Sequence, residues 1–215
     1  MSKNPVGFVG AKDLILRQLA DDRRLRWRLF PLIVAALVLL AHAPRLIGKY
    51  RADIPINFSS WTYWADDLLF VALVTAATAL LLGRPLIRRT WLTALVVIFA
   101  SLLHWPFFHA GQPEEFSTDV FAAGWGCFAT GLIFVVLAIA AFFPARNVMR
   151  RSFAARVMFG VAAGAVGVSA LYHHCGYDGI YHLLCMHGGL LLPAVGLGFS
   201  CSGPAVPPNK TRFPH

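Results

Sequence analysis

The sequence predicts an all-α membrane protein: a six transmembrane helix bundle with a short amphipathic N-terminal cytoplasmic helix. Three observations predict it. Of the 215 residues, 58% are hydrophobic and 13% charged, against about 45–50% apolar and about 25% charged in soluble domains. The apolar residues gather in six runs, at about 29–48, 68–83, 91–108, 121–144, 157–173 and 180–200. The lysines and arginines fall almost wholly on alternate connections between those runs.

The head comes first. Residues 1–28 carry seven Lys/Arg and three Asp. Within it, 12-KDLILRQLADDRRLRWRLF-30 has a helical stripe of Leu14, Ile15, Leu16, Leu19, Ala20 and Leu25, at the spacing of one helix face. Asp13 stands near its start and the arginines fall late, as the helix dipole prefers. Such a piece is marginal alone in water. It needs a surface, either anionic lipid under its basic end or a partner's groove for its stripe.

The runs follow. At 1.5 Å per residue, about 20 residues cross a hydrocarbon core of about 30 Å. The first run contains Ala41-His42-Ala43, which has the look of a leader cleavage site, but Pro44 would follow the cut. An uncleaved first helix is expected. Asp66 and Asp67 precede the second run and mark where it begins. The third ends in His104 and His109, and the fourth holds Cys127 six residues in, about 9 Å below its end. The fifth includes 160-GVAAGAVG-167, with Gly160 and Gly164 at the GxxxG spacing. That spacing brings helices close, within one bundle or between two copies in a homo-oligomer.

Between the fifth and sixth runs lies 171-LYHHCGYDGIYHLLCMHGG-189, with four histidines, two cysteines and an aspartate. Cys127, His174, Cys175 and His182 make a composite set of thiolate and imidazole donors, suited to a transition or heavy metal ion. Equally, Cys127 and Cys175 suit a disulfide in an oxidising compartment. His182 and Cys185 share a helix face, while His187, five beyond His182, is expected to point elsewhere. His173, Cys185 and His187 read as interfacial packing, where one side is dry and the other wet.

Charge sets the topology. Of 19 Lys/Arg, 16 lie in the head, in 84–90, in 145–156 or in the tail; Arg45, Lys49 and Arg51 lie across. The positive-inside rule makes both termini cytoplasmic. The net charge of +9 is then a topology signal rather than a nucleic-acid footprint, which needs one concentrated basic face. The organisation is a head, 1–28, a membrane domain, 29–200, and a tail, 201–215. No extramembrane piece is long enough to bury a core. There is no nucleophile elbow, P-loop, paired carboxylate or dinucleotide fingerprint, so no catalysis is expected. No ionisable side chain is expected at mid-membrane, which disfavours an ion-coupled transporter. A metal- or haem-binding redox protein using the outer histidines is the alternative.

With these residues in view, the chain resembles the NrsF-type family, six-helix inner-membrane regulators of extracytoplasmic-function (ECF) sigma factors. The likeness rests on Asp13-Leu14-Ile15 and Leu19-Ala20-Asp21 in the head and on Cys127 within 124-GWGCFATG-131. It rests too on the Gly/Ala-rich 156-RVMFGVAAGAVGVSALY-172 running into His174-Cys175, then His182 and His187-Gly188. The resemblance implies an anti-sigma factor in the bacterial inner membrane. It implies that the head, Asp13–Asp21, holds the sigma factor, and that metal or oxidant acting on Cys127 and Cys175 releases it. The turn Gly176-Tyr177-Asp178-Gly179 departs from the family's Pro-acidic pattern, and Cys185 and His173 are additional.

Overall fold

The computed structural model describes residues 6–46, 61–82, 118–147, 149, 153–175 and 180–201. Among these the chain is all helical. In chain order the helices are α1 (Val6–Leu46), α2 (Trp61–Leu81), α3 (Thr118–Ala141), α4 (Phe153–His174) and α5, a broken helical run over Ile180–Cys201. Four of them, α1, α3, α4 and α5, are long and apolar enough to cross a membrane; α2 contributes a shorter apolar stretch, Asp67–Leu81. The expected span at 91–108 lies outside the described residues.

Helix α1 joins what the sequence separates. Head and first span form one helix of 41 residues, about 60 Å long at 1.5 Å per residue. The only breaker near the junction is Pro31, within the helix. It removes one backbone donor, too little to stop a helix that packs on both sides of it. In the span, Ile33, Leu37 and Ala41 are buried at intervals of four, the stripe that one helix face presents. Leu32 and Leu39 on the other side are exposed, as a lipid-facing side would be.

Helix α2 begins at Trp61, ahead of the apolar run, so Asp67 stands in its second turn rather than before it. A search for apolar runs misses this because the first turns are aromatic and acidic. Arg26 of α1 donates from Nη1 to the Leu82 carbonyl, at 3.5 Å, just past the end of α2. A cation there also meets the helix's negative end. His42 meets Asp67 at the opposite ends of the same two helices. Helices α1 and α2 are therefore antiparallel.

Helix α4 is the centre. Some 72% of its span is buried, against 22% for α1, 22% for α3 and 33% for α5. Its small residues make this possible. A methyl on Gly160 would overlap the backbone of Val195 and Ala194, and one on Gly164 would meet Leu191 at 2.7 Å. The GxxxG face is thus filled by α5 of the same chain. On another side, a methyl on Gly167 would stand 2.8 Å from the Gly131 carbonyl of α3. At the basic end, α3 gives way to a 3-10 turn, Phe143–Ala145, containing Pro144. There Phe142 meets Phe159 of α4 edge to face, centroids 4.9 Å apart.

Helix α5 is irregular. One α turn, Ile180–His182, leads into a π segment, Leu183–His187, then a 3-10 turn, Gly188–Leu190, before regular helix resumes at Leu191. Gly188 and Gly189 hold helix weakly, and Pro193 cannot donate to the carbonyl of Gly189. These lower the resistance to a wider turn, and the Gly188 N–H reaches both the Leu183 and Leu184 carbonyls.

Candidate functional site

One end of the bundle collects soft donors. Helix α3 starts at Thr118, so Cys127 stands nine residues in, about 13 Å along the axis, deeper than the apolar run implies. Helix α4 ends at His174, and the Cys175 N–H still donates to the Leu171 carbonyl at 2.7 Å, which fixes Cys175 on the last turn. Helix α5 opens two residues before His182. The three elements meet there. Cys127 Sγ lies 3.0 Å from Cys175 Sγ, and Cys175 Sγ lies 3.3 Å from His182 Nε2. All three donor atoms fall within 4.8 Å of one another. Cys175 and His182 are buried and Cys127 is partly so, packed beside Val168, Leu171 and Leu190.

The separation of the two sulfurs has chemical meaning. A disulfide brings them to about 2.05 Å. Two thiolates on one tetrahedral zinc, at about 2.3 Å each, stand about 3.8 Å apart. At 3.0 Å the pair lies between those limits. A disulfide here would draw α3 and α4 together at this level, and an ion held by both sulfurs would push them apart. His182 supplies a third donor at a distance that serves as a thiol hydrogen bond or as a ligand position.

The other sequence-selected residues sort as follows. His174 is exposed and stands outside this group. Cys185 is half-buried on α5 and Cys201 is exposed at the far end. His187 does not point away from His182: both are buried and their rings meet edge to face at 5.3 Å. The π segment is the reason. Its i→i+5 repeat stacks positions that an α-helix separates by about 140°. His173, read as interfacial, is fully buried, with its ring 5.1 Å from that of His42.

At the other end of α1, the head is open. Asp13, Leu14, Ile15, Leu19, Ala20 and Asp21 are all exposed, with Leu14 at 68% and Leu19 at 60%. A stripe of this kind left uncovered marks a partner or membrane surface more often than chance exposure.

Residues 17–205 match the family model NrsF, described as negative regulator of sigma F. That range covers Leu19, Ala20, Asp21, Cys127, Cys175 and His182, and begins just after Asp13, Leu14 and Ile15. No curated protein and no solved structure matches the chain.

Proposed function

Because the chain belongs to the NrsF family, the negative regulators of sigma F, we propose that it is a membrane anti-sigma factor for an ECF-type sigma factor. In this reading the head holds the sigma factor at the cytoplasmic face. Heavy metal or oxidant at Cys127 and Cys175 releases it from the far side. The positive-inside rule supports that orientation: Arg26, Arg146 and Arg156 stand at the end away from the cysteines, and His42, His173 and His182 beside them.

The observation that carries the reading is the contact of Cys127 with Cys175 at 3.0 Å, across the joint of the central helix with α3. Two chemistries can act on it. An oxidant that accepts two electrons converts the two thiols to a disulfide and frees two protons. A thiophilic cation binds the two thiolates, and their protons again leave to water. Each changes the spacing of α3 and α4. Helix α1 packs on α4, through Ile33, Leu37 and Ala41 in the core shared with Phe159, Ala163 and Val166. A shift of α4 therefore reaches the helix that carries the head. A signal of this kind acts only by favouring one packing arrangement over another.

The test uses cells and membranes. With the wild-type protein, the sigma factor is expected to co-purify with membranes and to leave them on exposure to cadmium or an oxidant. Cys127→Ser with Cys175→Ser should retain it under both treatments. Normal release from the double variant would sink the sensor assignment. Retention by a protein lacking residues 1–27 would sink the head's role.

A further inference from the structure

Beyond the thiol pair, three helices place another donor set at the same end. His42 of α1, Asp67 of α2 and His173 of α4 hold their Nε2, Oδ1 and imidazole donors within 4.8 Å of one another. His42 Nε2 stands 3.4 Å from Asp67 Oδ1, and His173 Nε2 stands 3.9 Å from the same oxygen.

Two details separate this set from a hydrogen-bonded cluster. The first is length. A charge-assisted N–H to carboxylate bond is about 2.7–2.9 Å, shorter than both separations. Two donors each about 2.0–2.2 Å from a tetrahedral ion stand about 3.3–3.6 Å apart. The His42 to Asp67 distance falls in that range, and His173 needs a shift of only a few tenths of an ångström. The second is the proton on His42. Its Nδ1 lies 2.8 Å from the Val38 carbonyl. A carbonyl can only accept, so Nδ1 carries the hydrogen. In the neutral ring, Nε2 then turns a bare lone pair toward a carboxylate oxygen. Two lone pairs facing each other repel unless a proton or a metal cation lies between them, and at 3.4 Å the gap is longer than a charge-assisted hydrogen bond needs. An imidazole that donates one nitrogen to a backbone carbonyl and offers the other is also the usual posture of a metal-bound histidine.

We propose that His42, Asp67 and His173 form a divalent metal site, separate from the cysteine pair, that ties the outer end of α1 to α2 and α4. Two imidazoles and a carboxylate suit first-row ions of the zinc class rather than thiophilic heavy metals. His173 is fully buried, while the side chains of His42 and Asp67 are 19% and 17% exposed. An ion thus reaches the set from its open side and keeps room there for water. A site built this way stands or falls without reference to the sigma-factor reading, since it is defined by binding alone.

The test uses the full-length chain without a histidine tag, in lipid nanodiscs, carrying Cys127→Ser and Cys175→Ser. Titration with Zn2+ or Co2+ is expected to saturate at one equivalent. The Co2+ form should show ligand-field bands without thiolate charge transfer. X-ray absorption of the Zn2+ form should show a nitrogen and oxygen shell with two imidazoles. Adding Asp67→Asn, or separately His42→Gln, should weaken binding at least tenfold. Absence of saturable binding, sulfur in the shell, or fewer than two imidazoles overturns the site, whatever the fate of the variants. Unchanged affinity in both Asp67→Asn and His42→Gln overturns it as well.

Discussion

Helices α4 and α1 use their surfaces in opposite ways. Helix α4 is surrounded, and its glycines and alanines let α3 and α5 approach to backbone contact. Helix α1 touches the bundle along one stripe and then runs out of it, carrying exposed Leu14, Ile15, Leu16 and Leu19. Substitutions therefore act differently in the two helices. In α4, side-chain volume decides whether the bundle forms. In the head of α1, exposed side chains can change with little effect on the bundle, so on the proposed reading their chemistry sets what is held.

The largest effect should come from the crowded helix. Gly160→Leu forces a branched side chain into the backbone of α5 and is expected to destabilise by about 3 kcal/mol or more. Thermal unfolding in detergent reads this directly, and an unchanged midpoint would break the contrast between the two helices. Next comes the open helix. Leu16→Asp with Leu19→Asp should leave the unfolding midpoint alone and weaken sigma-factor capture at least tenfold, about 1.4 kcal/mol. A fall in the midpoint would place the head within the bundle's cooperative unit. Third comes Cys127→Ser in α3, a near-isosteric change at a partly buried site. Its stability change should stay within about 1 kcal/mol, while diamide oxidation of membranes should no longer protect Cys175 from alkylation. Protection that persists would mean that Cys175 pairs elsewhere. Smallest of all, Leu192→Ala on the exposed side of α5 should shift stability by about 0.5 kcal/mol or less. A larger loss would reveal a contact on that side.

Much of this architecture can be read from the chain because its causes are local. The apolar runs mark α3, α4 and α5 to within a few residues, since length and hydropathy alone decide a span. The small residues of α4 announce close packing, and the structure supplies its object, α5. Three features have causes that a run of letters does not carry. The fusion of head and first span depends on Leu29, Phe30 and Ile33 packing into the core on either side of Pro31, which is itself exposed. The first turns of α2 are too polar for a hydropathy window, although Asp67 faces inward to histidines. The pairing of His182 with His187 needs a π turn, which the pattern Gly188-Gly189 followed by Pro193 permits but does not require. The donor sets divide in the same way. Cys127 and Cys175 are marked by family resemblance, and His182 by its place near Cys175. His42, Asp67 and His173 sit in three separate helices, and in sequence each has a plainer reading: a leader-like tripeptide, a helix start, an interface.

The continuity of α1 has a thermodynamic corollary. One helix carries both the exposed stripe of the head and His42, so if binding at one end alters the affinity at the other, both affinities change by a common factor. Such coupling is reciprocal. If an ion at the far end weakens the grip on a sigma factor tenfold, a bound sigma factor weakens the grip on the ion tenfold. The concentration at which the protein answers its stimulus then depends on how many copies are occupied. Cells rich in the sigma factor would respond later than cells that have little of it, with no change in a single residue of the detector.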